Sequence, residues 1–532
     1  MRSTAATEVT GGAIADCSLP AAFFWYVRAA RRVEPPVTAP AVVVIGAGAA
    51  GCAAALEAAR LGLAVTLIDE HPQSVAALGL DAPYFYGARL PASLSATMVE
   101  RVLAANEPLV ACFEAGVEVR TGTCVWGVFG PRENCISLDG FQLALAEGGR
   151  SEMLHADHLV FATGARDLVL SFPGWELPGV LGANGAAALA GRYQALGGER
   201  VMVLGSGNLG LGLARLLRSE GIEVVAVVEP GPRPRGDANL VADLTGAGVP
   251  IFVQHTIERA LGETEVRAAR LVAVDGKLQP VPNCVREILC DTIVMAYGTV
   301  PNVELPALAG CTLSYSATRG GWVPAVEGGT CTSLPFIHVA GDLVGTGEVT
   351  HRDTAVAVRQ GQDAVRAIAT ACGLVASAVP ALNPELAADT GAAADWLRSL
   401  LAVGGLDVTL CQCEEVTRRE LVGVQPPRYL GSGSAATGGI DGLGSRARTS
   451  QDLLKRLTRV GMGHCQGKRC RDHGALLIAG ATGCPLEEVR PGSYRAPVRP
   501  LPLATLWPHD ESEEMRKRWP IWLHPLDERA PR

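Results

Sequence analysis

Two close pairs of cysteines stand in the last quarter of the 532-residue chain. Cys411 and Cys413 lie in "LCQCEEVT", and Cys465 and Cys470 lie in the glycine-rich "VGMGHCQGKRC". Four thiolates are a ligand set for a tetrahedral zinc ion or for an iron–sulfur cluster. Structural zinc usually takes CxxC-type knuckles, whereas the first pair here is CxC. The spacing therefore predicts a metal centre or its vestige, with iron–sulfur chemistry as an open alternative to zinc.

Short helices are predicted around both cysteine pairs. Thr417 and Glu420 in "TRRE" form a capping-box pattern, so a helix should begin directly after the first pair. "SQDLLKRLTRVG" predicts a second helix that ends at Gly461, and "RDHGALLIAG" predicts a third after Cys470, the last of the four paired cysteines. The thiols would then lie at helix ends and turns, where backbone N–H groups are free to bond to sulfur.

Upstream, a glycine loop follows an apolar run in "AVVVIGAGAAGCAAALEAARLGLAVTLIDE". Such a strand–loop–helix–strand pattern binds the pyrophosphate of a dinucleotide at the helix N-terminus. Asp69 closes the second strand, where a carboxylate can accept hydrogen bonds from ribose hydroxyls, and its neighbour Glu70 is a possible substitute. The loop residues are Gly46, Gly48, Ala49, Ala50 and Gly51.

A second unit repeats this pattern in "GERVMVLGSGNLGLGLARLLRSEGIEVVAVVEP", with Gly205, Gly207 and Gly210 in the loop. Glu229 ends its second strand, and an acid there favours a free ribose 2′-hydroxyl over a 2′-phosphate. The unit should therefore bind NAD or an adenosine nucleotide such as ATP rather than NADP. The alternative is a scaffold whose site is vacant or repurposed.

Three further stretches complete the pattern. "ADHLVFATGARD" places Thr163 and Gly164 after an apolar strand, and "CDTIVMAYGTVPN" repeats this arrangement after the second unit. "FIHVAGDLVG" places Gly341 and Asp342 at a strand end, before a helix expected over residues 354–370. The order of these pieces resembles the two-dinucleotide-binding flavoproteins of the glutathione-reductase and thioredoxin-reductase type. The resemblance covers roughly residues 40–375 and implies an α/β fold, an FAD site, and Asp342 near the flavin's ribityl chain and pyrophosphate.

The sequence departs from the disulfide reductases of that group. The cysteines before residue 400 contain no CxxC or CxxxxC pair, so thiol–disulfide chemistry at the flavin is disfavoured. "CQCEEVT" and "GMGHCQGKRC" resemble the bacterioferritin-associated-ferredoxin-like domain, which holds a [2Fe–2S] cluster. This resemblance implies that the four paired cysteines ligate such a cluster and exchange electrons with the flavin.

With "PPRYLG" and the tail "YRAPVRPLPLATLW", the whole chain resembles the α (A) subunit of heteromeric flavin-dependent amine dehydrogenases. This group includes opine oxidase A, the D-hydroxyproline and proline dehydrogenase α subunits and the hydrogen cyanide synthase B type. The resemblance implies a β subunit of the D-amino-acid-oxidase type that carries its own FAD, an FMN at the subunit interface in part of the group, and room for a further small subunit. Electrons would leave through a quinone or dye acceptor.

Composition sets bounds on other functions. Apolar residues make up 48% of the chain, charged residues 19%, and the net charge is −8, which offers no electrostatic footprint for nucleic acid. No transmembrane segment and no signal peptide are predicted, and the scattered, odd set of 15 cysteines favours the reducing cytoplasm. Two other functions stay open. One is a self-contained NADH:acceptor reductase, and the other is a non-catalytic redox or iron sensor.

The expected layout has a split FAD-binding domain and a small, mostly helical C-terminal [2Fe–2S] domain. Its parts are an N-terminal extension (1–39), the FAD-binding domain's first part (40–165), the inserted dinucleotide-binding domain (166–300), the FAD-binding domain's second part (301–375), a linker (376–405), the [2Fe–2S] domain (406–492) and a tail (493–532). No stretch of the sequence indicates an amino-acid binding pocket, and no catalytic residue is assigned. His351 in "THRDTA" is a lone candidate for a substrate contact, with a hydrogen-bonded helix-start residue near the flavin as the alternative. His464, between Gly463 and Cys465, could tune the cluster, with a solvated loop histidine as the alternative.

Overall fold

A computed structural model describes most of the chain at the level of individual residues. It covers residues 40–71, 107–130, 140–193, 195–346, 354–375, 391–426 and 438–506, together with Lys517. His351 and the expected N-terminal extension (1–39) lie outside the described residues.

The strands are, in chain order, β1 Ala41–Ile45, β2 Ala64–Asp69, β3 Glu118–Thr121, β4 Cys124–Phe129, β5 Phe141–Glu147, β6 Arg150–Ala156, β7 His158–Phe161, β8 Ala165–Asp167, β9 Val180–Gly182, β10 Arg200–Leu204, β11 Glu223–Glu229, β12 Ile251–Val253, β13 His255–Leu261, β14 Ala268–Val274, β15 Pro280–Leu289, β16 Thr292–Met295, β17 Thr299–Pro301, β18 Leu313–Ser316, β19 Gly321–Pro324, β20 Ile337–Val339, β21 Thr409–Cys411 and β22 Val416–Thr417.

The α-helices are α1 Ala49–Arg60, α2 Glu107–Glu114, α3 Ala183–Ala187, α4 Asn208–Ser219, α5 Ala238–Gly246, α6 Glu304–Ala309, α7 Thr354–Ala371, α8 Ala392–Gly404, α9 Arg418–Val422, α10 Ser445–Arg448, α11 Gln451–Thr458, α12 Arg471–Thr482 and α13 Leu503–Leu506. A π-helical turn, Ala188–Arg192, continues α3.

The first parallel sheet has the strand order β20-β7-β1-β2-β3. Its central strands are buried and apolar, as expected where helices cover both faces of a parallel sheet. β20, from far along the chain, completes the sheet beside β7, and α7 then packs on α1. The two helices approach closely at Gly361, where a Cβ would lie only 2.0 Å from the Ala50 carbonyl oxygen, so this position requires glycine. The helix predicted over 354–370 is therefore confirmed.

The second parallel sheet repeats the arrangement, with the order β12-β11-β10-β16-β9. In both sheets a glycine loop follows the strand where the strand order reverses, which is where open α/β sheets bind ligands. Antiparallel sheets β4-β5-β6 and β13-β14-β15 accompany the two units, and β8 pairs with β17 between them. The predicted α/β architecture with two dinucleotide-binding units is confirmed.

After α7, the described chain is mainly helical. α8 and the cysteine-bearing segments share one hydrophobic core with the second unit. Its members include Phe172, Trp175, Trp396, Leu400, Leu421, Leu454, Leu477 and Ile478. Trp175 also donates a hydrogen bond from Nε1 to the Thr409 carbonyl (2.9 Å). These contacts fix the cysteine-bearing segments to the second unit.

The predicted helix boundaries near the cysteines are largely correct, with one exception. The capping box at the start of α9 is present, with Thr417 and Glu420 exchanging both hydrogen bonds. α11 ends at Thr458 rather than at Gly461, so the predicted stop was wrong. Arg459 follows the helix in the left-handed conformation (φ 63°), and its Nε donates to Glu414 Oε2 at 2.7 Å. A tertiary ion pair thus overrides the local glycine signal.

Arg418 fastens three parts of this region together. Its side chain is fully buried, and its guanidinium donates to the carbonyls of Ser171, Leu400 and Gly405. Leu400 and Gly405 lie at the C-terminal end of α8, whose negative dipole end favours a cation. Burial lowers the pKa of Arg418 to about 10, so the side chain is still charged at neutral pH. The guanidinium therefore joins α8, α9 and the segment before the second unit.

Replacing Arg418 by methionine should destabilise the chain strongly, since it leaves buried carbonyls without donors. Hydrogen bonds from charged groups contribute roughly 1.5–3 kcal/mol each, so we expect a loss of about 3 kcal/mol or more in the free energy of unfolding. Thermal unfolding followed by circular dichroism measures it. The neighbouring Arg419→Met is the matched control, because Arg419 forms an exposed pair with Asp407. Equal effects of the two substitutions would contradict the assignment.

Candidate functional site

The three glycines of the first loop have different geometric roles. Gly46 has φ 106°, and a Cβ there would lie 2.2 Å from the Ala162 carbonyl oxygen. A Cβ on Gly51 would lie 1.7 Å from the Gly46 carbonyl oxygen, so only glycine lets α1 approach β1. A Cβ on Gly48 would meet no atom within 4 Å. Gly48 therefore opens the backbone toward a ligand, whereas Gly46 and Gly51 hold the loop together.

Ala49 and Ala50 begin α1, so the free N–H groups of its first turn face the space beside Gly48. Asp69 Oδ2 accepts from the Ala47 amide (2.6 Å), and its Oδ1 accepts from the His71 amide (2.8 Å). Burial opposes ionisation, but the hydrogen bonds from His71 and Ala47 hold the pKa of Asp69 below its usual value. The carboxylate is thus ionised beside the loop, where it can accept further donors.

The two acids at the end of β2 are not equivalent. Glu70 forms a two-pronged ion pair with Arg499, with distances of 2.7 and 3.0 Å. Asp69, by contrast, bonds to the amide of Ala47 within the loop. The sequence indicated Asp69 and Glu70 as possible hydrogen-bond acceptors for a ribose. The structure places Asp69 at the glycine loop, whereas Glu70 is paired with Arg499.

Two further predicted stretches, "ATG" at 162–164 and "PN" at 301–302, contact each other beside the first unit. Thr163 Oγ1 donates to the Asn302 carbonyl (3.1 Å), and Asn302 Nδ2 donates back to the Thr163 carbonyl (2.9 Å). Gly164, with φ 64°, turns the chain after this contact. The "ATG" and "PN" stretches are therefore locked to each other.

The "AGD" element lies at the start of a short 3₁₀ turn, Gly341–Leu343. The Gly341 amide donates to Gln360 Oε1 at 2.8 Å, and a Cβ on Gly341 would come within 3.1 Å of the Ala50 Cβ. Asp342, the second residue of this turn, is thereby held next to the start of α1. The structure thus brings the predicted residues of the first and last parts of this unit together.

The second glycine loop has the same geometry. Gly205 has φ 120°, and a Cβ on Gly210 would lie 2.0 Å from the Gly205 carbonyl oxygen. Gly207 again faces open space, with no atom within 4 Å of a Cβ. It lines a cleft of about 810 Å³, which also borders α8 and α12. The cleft is large enough to hold a nucleotide.

Glu229 is placed differently from Asp69. It is fully buried and accepts hydrogen bonds from the Ser206 amide (3.3 Å), the Ser206 hydroxyl (2.8 Å), the Gly231 amide (3.1 Å) and Arg235 Nε (2.9 Å). An ionised carboxylate accepts about four hydrogen bonds in all. Arg235 also pairs with Asp395 on α8. Glu229 therefore reaches a ribose only by exchanging one of these partners, and the sequence analysis missed Arg235.

The four predicted cysteine ligands come together as two pairs from distant parts of the chain. The Cys411 and Cys470 thiols share a hydrogen bond, and so do those of Cys413 and Cys465. A Cβ on Gly463 would lie 2.3 Å from the Cys413 Cβ, so glycine allows the two loops to meet. Among the described residues, no three His, Cys, Asp or Glu side chains are arranged to hold a single metal ion.

The environment of Cys411 favours a thiolate. Its hydrogen bond with Cys470 outweighs burial, and with the amides of Gly461 and Glu414 it lowers the pKa of Cys411 to about 6. The Gly461 amide lies 3.5 Å from the Cys411 sulfur. The four thiols form two pairs, each of which joins distant parts of the same chain, and a backbone N–H is directed at one of the sulfurs. This donor set fits a [2Fe–2S] cluster, because each of its two irons takes two cysteine ligands.

His464 lies beside this group, with Nε2 3.7 Å from the Cys413 sulfur. Arg166, which the sequence analysis also missed, donates to the backbone carbonyl of Lys468 (3.1 Å), which lies between Cys465 and Cys470. Burial lowers the pKa of Lys468 to about 8, and the neighbouring cation Arg499 acts in the same direction. The loop between Cys465 and Cys470 is therefore partly buried against the segment that carries Arg166.

Comparison with known proteins agrees with this architecture. The family model for pyridine nucleotide-disulphide oxidoreductases matches residues 40–361. Hydrogen cyanide synthase subunit HcnB of Pseudomonas aeruginosa is 28% identical over 496 residues, which cover 87% of this chain and 97% of that protein. The opine oxidase A subunit of Agrobacterium tumefaciens is 24% identical over 502 residues, covering 87% of this chain and 91% of that protein.

Among solved structures, L-proline dehydrogenase from P. horikoshii shares the fold, with a TM-score of 0.59 and 21% identity. The match covers 88% of this chain and 80% of that one. No helix in the described ranges is both long and apolar enough to cross a membrane. The stretch that matches the family model includes the first glycine loop, the second loop and the "AGD" turn. The chain belongs to the pyridine nucleotide-disulphide oxidoreductase family and is an FAD-dependent flavoprotein oxidoreductase.

Proposed function

We propose that this chain is the electron-transfer subunit of a heteromeric amine or amino-acid dehydrogenase of the opine, proline or hydroxyproline type. The observation that carries the proposal is the meeting of two cysteine pairs on a flavoprotein that lacks a CxxC or CxxxxC pair before residue 400. Electrons would pass between flavin and cluster and leave to a quinone or dye. The scattered free thiols of the described residues suit a cytoplasmic location.

The residues proposed to hold FAD are Gly46, Gly48, Ala49, Ala50, Gly51, Asp69, Thr163, Gly164, Gly341 and Asp342, with Glu70 committed to Arg499 instead. When bound, FAD accepts electrons in pairs and a [2Fe–2S] cluster carries them singly. Gly48 leaves room for the pyrophosphate beside the N-terminus of α1. Cys411, Cys413, Cys465 and Cys470 are the proposed cluster ligands. Asp69 would orient the ribose, while the amides near Cys411 stabilise its thiolate.

The proposed domain organisation follows the sheets. The FAD-binding domain comprises residues 40–165 and 301–375, and the inserted dinucleotide-binding domain comprises 166–300. Residues 376–405 join them to the [2Fe–2S] domain at 406–492. The pairing of β20 with β7 supports the split of the first domain, because it joins segments on either side of the insertion.

We further propose that amine oxidation takes place on a β subunit of the D-amino-acid-oxidase type with its own FAD. Both relatives are named as subunits, which supports a heteromer. Oxidising an amino acid needs a shielded pocket with a cation for the carboxylate beside a flavin. An FMN at the subunit interface and a further small subunit are compatible with this assembly.

Cofactor analysis of the anaerobically purified chain tests the proposal. We expect flavin together with about two irons and two sulfides per chain, and a one-electron paramagnetic signal after reduction. Zinc without iron or sulfide would overturn the electron-transfer role of the cysteines. A cluster without any flavin would instead support a redox-sensing protein.

A second function, a self-contained NADH:acceptor reductase, is favoured by one observation. The second glycine loop borders a cleft large enough for a nucleotide. Stoichiometric bleaching of the flavin by NADH in the purified chain would support this function. In the electron-transfer subunit we expect no such bleaching on the time scale of turnover.

We expect the second cleft to bind NAD or ATP more tightly than NADP once Glu229 exchanges one of its present partners for a ribose hydroxyl, because its carboxylate would then repel a 2′-phosphate at that position. Gly207→Val should abolish this binding while leaving the flavin in place, since its side chain would enter the cleft. Isothermal titration calorimetry with each nucleotide measures both effects. Tighter binding of NADP would contradict the prediction, and no binding of any nucleotide would indicate a scaffold.

A further inference from the structure

We propose that Arg166 is a positioning residue that docks the loop between Cys465 and Cys470 onto the FAD-binding domain. The inference rests on the proposed function, because it gives that loop the role of holding the cluster. Arg166 stands in "ATGARD", just after the predicted flavin-contacting pair Thr163 and Gly164. It therefore stands at the boundary between the FAD-binding domain and the inserted domain by sequence, and its side chain contacts both the FAD-binding domain and the cysteine-bearing segment.

On the cysteine side, Arg166 makes two hydrogen bonds. Its Nε donates to the backbone carbonyl of Lys468 (3.1 Å), and its Nη2 donates to Asp472 Oδ2 (2.8 Å). Lys468 lies inside the Cys465–Cys470 loop, and Asp472 lies in the first turn of α12, which Cys470 caps. One guanidinium thus holds both the loop and the start of the helix that follows it.

The same guanidinium also donates hydrogen bonds to residues of the FAD-binding domain. Nη1 donates to the Pro301 carbonyl (3.2 Å) and to Asn302 Oδ1 (3.3 Å), and it pairs with Glu304 at 3.1 Å. Asn302 in turn exchanges two hydrogen bonds with Thr163. An unbroken path of hydrogen bonds therefore runs from the predicted flavin loop to the cysteine loop.

The chemistry of the contact requires arginine. Its five N–H donors lie in a rigid plane and serve acceptors in several directions at once, whereas a lysine ammonium is a compact point charge on a flexible stem. The side chains of Arg166 and Glu304 are only 16% and 7% exposed, so solvent screens their interaction little. Lysine could replace the charge but not the simultaneous contacts with Lys468, Asp472 and Asn302.

The test compares Arg166→Met and Arg166→Lys with Arg120→Met in the full-length purified chain. Arg120, on β3 of the first parallel sheet, also bridges two carboxylates, Glu147 (2.7 Å) and Glu152 (2.5 Å), but these lie on the antiparallel sheet β4-β5-β6 and not on the cysteine-bearing segments. The first readout is hydrogen–deuterium exchange of the backbone amides in residues 464–470. The second is the midpoint potential of the iron–sulfur signal, which responds to hydrogen bonds and solvent exposure around the sulfurs.

We expect exchange in residues 464–470 to rise about tenfold or more in Arg166→Met, because the loop opens locally, and to rise less in Arg166→Lys. The midpoint potential should shift in both variants, while Arg120→Met behaves as wild type in both readouts. Wild-type exchange and potential in Arg166→Lys would overturn the proposal even if Arg166→Met fails to fold. If the wild-type chain binds no iron, faster exchange in Arg166→Met would keep the docking role and refute the proposed function.

Discussion

The purified Gly48→Val variant is expected to contain no FAD while keeping the fold of the wild-type chain. The reason is the direction in which the new side chain points. A Cβ at Gly48 meets no protein atom within 4 Å, so valine causes no internal clash. It would occupy the space where the loop and the start of α1 approach a pyrophosphate. The loss of flavin absorbance per chain, with unchanged circular dichroism, measures the effect.

Two other glycine variants serve as references for Gly48→Val. Gly246 ends α5 on the surface, where a Cβ also meets nothing within 4 Å, so Gly246→Val should keep the full flavin content. Gly51→Val should instead disrupt the fold, because its Cβ would lie 1.7 Å from the Gly46 carbonyl oxygen. Full flavin content in Gly48→Val would contradict the proposed site.

The second large effect concerns the cysteines. Cys465→Ser should reduce bound iron from about two per chain to near zero and remove the paramagnetic signal, since a serine hydroxyl is a poor replacement for a cluster thiolate. Cys465 is only partly buried, so the substitution should leave the fold intact. Iron analysis and electron paramagnetic resonance of anaerobic protein measure the loss.

Cys484→Ser is the matched control for Cys465→Ser. Cys484 lies in the same region and is also partly buried, but its sulfur accepts a hydrogen bond from Thr482 Oγ1 (3.0 Å) after the end of α12. This variant should keep its iron. Loss of iron in both variants alike, or in neither, would show that Cys465 is no ligand.

The elements that the sequence predicted well are those with local causes. The two glycine loops and their flanking strands follow from steric limits that any sequence of this type must obey, as the clash distances at Gly51 and Gly210 show. The capping box of Thr417 and Glu420 is equally local. These features were therefore visible without any knowledge of the tertiary structure.

The features that the sequence did not predict depend on distant residues. Arg459 ends α11 through its contact with Glu414, which lies beside the other cysteine pair. Arg235 saturates Glu229 while reaching Asp395 on α8. In both cases a guanidinium finds a carboxylate far away in the chain, and one-dimensional spacing contains no sign of that choice.

Arg166 shows the same limit at the site itself. It stands two residues after Gly164, but its partners Lys468 and Asp472 lie about 300 residues further on. Only the packing of the cysteine-bearing segments against the second unit brings them within reach. The contact between Arg166 and the cysteine-bearing segment could therefore not be predicted from the sequence.

The central claim is that this chain carries electrons and that a partner oxidises the amine. The direct measurement is dye reduction with proline, hydroxyproline and opines, comparing the single purified chain with the complex that co-purifies from native cells. We expect turnover by the complex and none by the single chain loaded with flavin and cluster. Substantial turnover by the single chain would contradict it and make the protein a self-sufficient dehydrogenase.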